Sequence, residues 1–170
     1  SSKDLFVYKD PKIKLSRYSN IIVDPILVSG KEKKLDPYDE NRLSKFFTNE
    51  LKINFNQGYH VVEDPFGPTL RVRGVVQVWE SAPWLNVHWS SSLSGLGIGG
   101  ASMEIEFVDA LNGRSVICFS GSQKGDRFKK IDGLTDWTHT EKILSRWAKE
   151  MKDIFGEFHG SYRRIIVYPY

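Results

Sequence analysis

The sequence predicts an α+β domain: a two-layer sandwich in which a mostly antiparallel sheet of about five strands carries two helices on one face. Three observations predict it. Long segments alternate apolar and polar residues with the period of a strand, as in Leu70-Arg-Val-Arg73 and Met103-Glu-Ile-Glu-Phe107. Two segments repeat apolar residues at helical spacing. The order is strand, helix, strands, helix, tail, and each element has one apolar side to bury against the other layer. A chain of 170 residues with 40% hydrophobic and 26% charged residues has the size and composition of one globular domain. We read residues 1–170 as that single domain, with an N-terminal arm (1–19), an α+β core (20–160) and a C-terminal arm (161–170).

Residues 1–19 are polar, with Pro11 and four lysines, and read as an extended arm. Ile21-Ile-Val23 and Ile26-Leu-Val28 form a buried strand with Pro25 at a bulge or edge. Asp36 is placed to cap a helix whose first residue is Pro37. Asp39 and Glu40 follow in its first turn, where the helix dipole favours acids. Its core stripe is Leu43, Phe46, Phe47, Leu51 and Phe55, and Gly58 stops it. Tyr59–Glu63 is a short strand and Asp64–Pro68 a turn. Thr69–Trp79 is a strand with Leu70, Val72, Val76 and Val78 on one face and Arg71, Arg73 and Gln77 on the other. In the strand Gly99–Asp109, Ala101, Met103, Ile105 and Phe107 oppose Ser102, Glu104 and Glu106. Asn112-Gly113 is a hairpin tip, and Arg114–Ser120 is the return strand. A second helix starts near Thr138, with Glu141 completing a capping box. Its stripe is Ile143, Leu144, Trp147, Met151, Ile154, Phe155 and Phe158, and Gly160 ends it.

Several functions are disfavoured by the residues themselves. The net charge is +3, with basic and acidic residues interspersed, whereas a nucleic-acid binder concentrates its basic residues on one face. Cys118 is the single cysteine, so no disulfide forms within the chain, and its apolar strand context reads as a small buried hydrophobe. His60, His88, His139 and His159 have no metal-ligand spacing, so neither metal nor cofactor is expected. Ser90–Gly100 is rich in serine and glycine but matches no phosphate-binding motif, and no serine sits in a nucleophile elbow. Glu104 and Glu106 project from one strand face, and Arg71 and Arg73 share that spacing. We expect a cross-strand ion-pair lattice there rather than catalysis. No catalytic residues are assigned, and the chain reads as a non-enzyme. The sequence shows no membrane-spanning helix and no signal peptide; Ser1-Ser-Lys-Asp4 looks like the start of a processed or trimmed chain.

What remains is a candidate interaction surface. Ser81–Met103 contains no charged residue across 23 positions, yet carries Trp84, Leu85, Val87, Trp89 and Leu93. Three readings stay open: a strand and loop covering its own sheet, a contact surface for another copy or partner, or a membrane-inserted hairpin. The tail, with Tyr162, Arg163, Arg164, Tyr168 and Tyr170, is the second candidate; it pairs either to its own sheet or to a neighbour's edge.

The stretch Leu70-Arg-Val-Arg73, the uncharged segment after it, and Gly100-Ala-Ser-Met-Glu-Ile-Glu-Phe-Val-Asp-Ala-Leu-Asn-Gly113 together resemble a bacterial family, the domain-of-unknown-function family 3313 of envelope lipoproteins. Tyr18–Val28, with Val23-Asp-Pro25, resembles its first strand, and Trp137 and Trp147-Ala148 resemble its last helix. The resemblance covers about residues 18–155. It implies an acylated cysteine ahead of the chain, tethering a periplasmic domain to the outer membrane, and it supplies no catalytic residues. The tail after Gly160 looks like an addition. The element order also resembles small domains of envelope lipoproteins that form rings around secretion or export machines, which is an analogy of fold only. The function expected is that of a structural or assembly component of a cell-envelope complex, such as a secretion-system outer-membrane core complex. Its partners are other envelope proteins or copies of itself, and no nucleic acid. The alternative is a stand-alone periplasmic binder of a small apolar ligand, lipid or glycan, with Trp79, Trp84 and Trp89 lining a cleft.

Overall fold

The computed structural model describes residues 5–31, 34–79, 100–124 and 137–160. Its elements are β1 (Leu5–Lys9), β2 (Asn20–Val23), β3 (Leu27–Gly30), α1 (Pro37–Phe55), β4 (His60–Val61), β5 (Thr69–Trp79), β6 (Gly100–Asp109), β7 (Ser115–Lys124) and α2 (Thr138–Gly160). They form the α+β sandwich expected, but among the described residues the sheet has seven strands rather than about five. The strand order is β1-β7-β6-β5-β2-β4, with β3 also paired to β5.

Two differences account for the larger count. Residues 5–9, placed by the sequence in an irregular arm, are an edge strand antiparallel to β7. The arm then turns through Leu15–Arg17 and buries Ile13, Leu15 and Tyr18 in the core. Its lysines concealed this: only short apolar runs lie between them, and an edge strand needs backbone pairing on one side alone. The expected first strand is in fact two. Val23 pairs with Val72 and Leu27 with Val75, so the three residues between on one side oppose two on the other. That is a bulge around Pro25, which has no N–H to give the ladder. Helix α1 holds the break. The Thr48 hydroxyl accepts from the Ile26 amide (3.0 Å), and the Ser44 hydroxyl donates to the Ile26 carbonyl (2.6 Å).

The sheet is also mixed. Strands β2, β3 and β4 run parallel within their pairings, while the longer β5–β6–β7 ladders are antiparallel. A strand followed by a helix and then a neighbouring strand requires a crossover, and the crossover makes β3 and β5 parallel.

Both helices begin and pack as their residues dictate. Asp36 caps α1 through the Tyr38 amide (2.8 Å). Leu43, Phe47, Leu51 and Phe55 are buried in one stripe, with Phe46 packed at its margin. In α2, Ile143, Leu144, Trp147, Met151 and Phe155 are buried, with Ile154 and Phe158 partly so. Glu141, placed in a capping box by the sequence, forms an ion pair with Arg42 of α1 and so clamps the two helices together. Among the described residues no helix is long and apolar enough to cross a membrane.

One buried polar cluster fastens the arm to the β6–β7 hairpin. Asp109 accepts from the Tyr18 hydroxyl (2.7 Å), the Arg17 guanidinium (3.2 Å) and the Leu111 amide (2.9 Å). Burial alone would raise its pKa, but these donors outweigh it and hold the carboxyl below the usual carboxylate range. Burial, reinforced by the Asp109 charge, pushes the Tyr18 phenol up to about 12. A depressed carboxyl stabilises the fold above its unfolded pKa of about 3.9, and that stability is lost as pH falls through the native value. Tyr18→Phe is therefore expected to cost about 1.5–3 kcal/mol at neutral pH. The gap between wild type and variant should narrow below about pH 4, as read by denaturant titration at several pH values.

Candidate functional site

The helices cover one face of the sheet, and the strand registers define the other. Three rows of side chains cross it. The first is Tyr8, Cys118, Glu106 and Arg73. The second is Phe6, Ser120, Glu104, Val75 and Leu27. The third is Ser122, Ser102, Gln77 and Ser29. The apolar members stand in solvent: Phe6 is 66% exposed, Tyr8 53%, Leu27 67% and Val75 41%. Five strands at a spacing of about 4.8 Å place Phe6 and Leu27 about 19 Å apart.

The charge lattice expected on this face is only half built. Arg73 does pair with Glu106 across β5 and β6 (2.9 Å). Arg71 instead turns to Asp24 at the bulge (2.7 Å). Glu104 is opposite Val75 and Ser120, so no arginine stands in register with it. Alternation put Glu104 and Glu106 on the right face, but pairing depends on register, which alternation does not specify. Cys118, read as a buried hydrophobe, is half-buried on this same face, with its sulfur 3.2 Å from the Ser115 hydroxyl.

Around Glu104 the face dips into an open depression of about 290 Å³, walled by Phe6 and Val75 and floored by Gln77, Ser102, Ser120 and Ser122. The small serines between bulky neighbours create it. Among the described residues no group of three His, Cys, Asp or Glu comes together. His159 lies on the helix side, its Nε2 3.0 Å from the Tyr18 carbonyl oxygen and its ring against Tyr59 and Phe155.

The residues singled out by the sequence as contact candidates, Trp84, Leu85, Val87, Trp89, Leu93, Tyr162, Arg163, Arg164, Tyr168 and Tyr170, lie outside the described residues. The structure does show where their segments attach. Trp79 and Gly100, the described residues that flank positions 80–99, are paired at the ends of β5 and β6. Of the three tryptophans proposed to line a cleft, Trp79 is described; its ring lies under the Lys31 ammonium at 4.8 Å and against Gly100. The exposed row Phe6, Val75 and Leu27 was not singled out. Its members are far apart in sequence and meet only through sheet order.

Residues 1–151 match the family described as protein of unknown function (DUF3313). The chain belongs to this family. The match begins ahead of Tyr18 and takes in β1, so the edge strand lies within the span of the DUF3313 family. No curated protein matches the chain. Among solved structures, a PDZ domain protein from Parabacteroides distasonis is similar at TM-score 0.52 and 6% identity, over 95% of this chain and 36% of that one. The PelC dodecamer from Paraburkholderia phytofirmans, as a point variant, is similar at TM-score 0.49 and 13% identity, over 94% and 99%. A putative neuraminyllactose-binding hemagglutinin homolog from Helicobacter pylori gives 0.45 and 18%, over 88% and 89%. At these identities the likeness concerns the fold.

Proposed function

We propose that this DUF3313 chain is a non-enzymatic assembly domain that associates with copies of itself through the open face of its sheet. The observation that carries the reading is the row on the sheet face opposite the helices in which Phe6 at one end and Val75 and Leu27 at the other stand exposed, with Ser120 and Glu104 between them. Of the exposed large apolar side chains among the described residues, Phe6, Tyr8, Val75 and Leu27 share this one face, and apolar side chains grouped on one face mark a contact surface. The polar groups of the interior support it, because they are used to hold the fold: Asp109 binds the arm, Thr48 the bulge, and Asn20 and Thr69 the Phe66 carbonyl. In keeping with the family resemblance, the domain works on the periplasmic side of the outer membrane, tethered by a lipid ahead of the visible chain, as a structural part of an envelope complex of the secretion-system kind. The alternative of a small-ligand binder is less favoured, because the depression on this face is open, with Gln77, Glu104 and three serines beside Phe6 and Val75, rather than enclosed and apolar. Sedimentation velocity of the full chain tests the reading. The wild type should self-associate with rising concentration, and Phe6→Ser/Leu27→Ser should sediment as a monomer.

A further inference from the structure

Among the described residues, carboxylates on or beside the open face are neutralised by this chain's own arginines, Asp24 by Arg71 and Glu106 by Arg73, with one exception. The exception, Glu104, lies in the depression, and no hydrogen bond or ion pair to it is present among the described residues. Its row neighbour Ser120 is small, and beyond Ser120 rises the ring of Phe6, two strands and about 10 Å away. The gap thus has an aromatic wall at one end, a carboxylate at the other and a hydroxyl floor. A guanidinium matches all three. It is flat and weakly hydrated, its face stacks on an aromatic ring, and its edge donates two parallel hydrogen bonds to a carboxylate. An ammonium has the charge without the flat faces.

We propose that the depression around Glu104 receives an arginine, Arg163 or Arg164, from residues 161–170 of a second copy of the chain. The inference rests on the reading of the open face as the self-association surface. Charge and composition choose this segment: it carries two arginines, no acidic residue, and Ile165, Ile166 and Val167 to meet Phe6, Val75 and Leu27. Geometry assigns it to a second copy. Helix α2 ends at Gly160, and His159 beside it contacts Tyr18 on the helix side of the sheet, near the Asp109 end of β6. Glu104 is five residues along β6 from Asp109, about 17 Å, and on the opposite face. Fully extended, Arg164 commands about 14 Å of backbone beyond Gly160 and about 7 Å of side chain, less than the path through or round the sheet, about 10 Å, and then about 17 Å along its opposite face to Glu104 of its own chain.

A charge exchange in the full chain tests this, read as the dissociation constant by sedimentation, with melting curves confirming that each variant folds. Glu104→Arg alone and Arg163→Glu/Arg164→Glu alone should each weaken association by about tenfold or more, as expected for a lost charge pair at a contact. The two combined should restore it, and Glu104→Gln should weaken it without reversal of charge. Association unchanged by Glu104→Gln and Glu104→Arg, or not restored in the combined variant, overturns the arginine assignment while leaving the open-face interface standing. Loss at position 104 without any effect of the tail reversal assigns the cation to another source and likewise overturns it. A wild type that stays monomeric removes the interface reading and this inference together.

Discussion

Phe155→Ala is expected to destabilise the fold by about 3–5 kcal/mol, the usual cost of emptying a buried aromatic position. Phe155 is fully buried on α2 and touches every layer at once. Its ring meets Phe55 of α1 edge-on at 5.6 Å and Tyr59 edge-on at 5.0 Å. It stacks near Phe107 of β6 at 5.4 Å and is flanked by His159 at 6.2 Å. Truncation removes the transfer energy of the ring, leaves a cavity between both helices and the sheet, and forfeits oriented ring contacts worth about 0.5–1.5 kcal/mol each. The loss is a large fraction of a domain's usual stability of about 5–15 kcal/mol. Urea titration should show a lower midpoint at unchanged slope. A shift of less than about 1 kcal/mol would mean that the aromatic cluster does not tie the layers together.

Gly74→Val is the second large effect. Gly74 sits mid-strand in β5, opposite Ile105, in line with the core-facing Val72 and Val76. A Cβ built there lies 2.9 Å from the Ile105 Cα, 2.7 Å from the Ile105 Cδ1, and closer still to the Glu104 carbonyl oxygen. Two of these are backbone atoms, which withdraw only by opening the β5–β6 ladder. The cost should be about 3 kcal/mol, the upper end for overpacking, which for a chain of this size lowers the melting temperature by about 6–12 °C. The distortion falls between Val75 and Glu104, so association should weaken as well. Gly58→Ala supplies the control: a Cβ at Gly58 meets nothing within 4 Å, and the melting curve should barely move.

Much of the fold is written in local pattern. The cap at Asp36, the stripes of both helices and the faces of β5 and β6 follow from periodicities and capping chemistry that need only a few neighbouring residues. The missing pieces depend on distant ones. Strand β1 is short and set among lysines, and it becomes a strand only because β7 offers it an edge. The parallel pairing of β3 with β5 was implicit in the strand–helix–strand order but was not drawn from it. Alternation places Arg71 on the same face as the glutamates, but the bulge around Pro25 brings Asp24 to it instead. The candidate site was legible only in parts. The spacing of Glu104 marks it in the sequence, but alternation alone gives it an arginine partner that register withholds among the described residues. Phe6, Val75 and Leu27 have nothing in common in the sequence, and sheet order and register alone place them in one row.

The most direct measurement of the central claim sets that row against the helical layer. Tyr38 and Ile53 on α1 are as exposed as Phe6 and Leu27, at 74% and 59%, but stand on the other side of the sheet. Sedimentation of the wild-type chain, Phe6→Ser/Leu27→Ser and Tyr38→Ser/Ile53→Ser across one concentration series separates the two surfaces. The account predicts that wild type and the helix-side variant associate alike while the sheet-face variant remains monomeric. Association lost through the helix-side pair, or retained in full by the sheet-face pair, would contradict it.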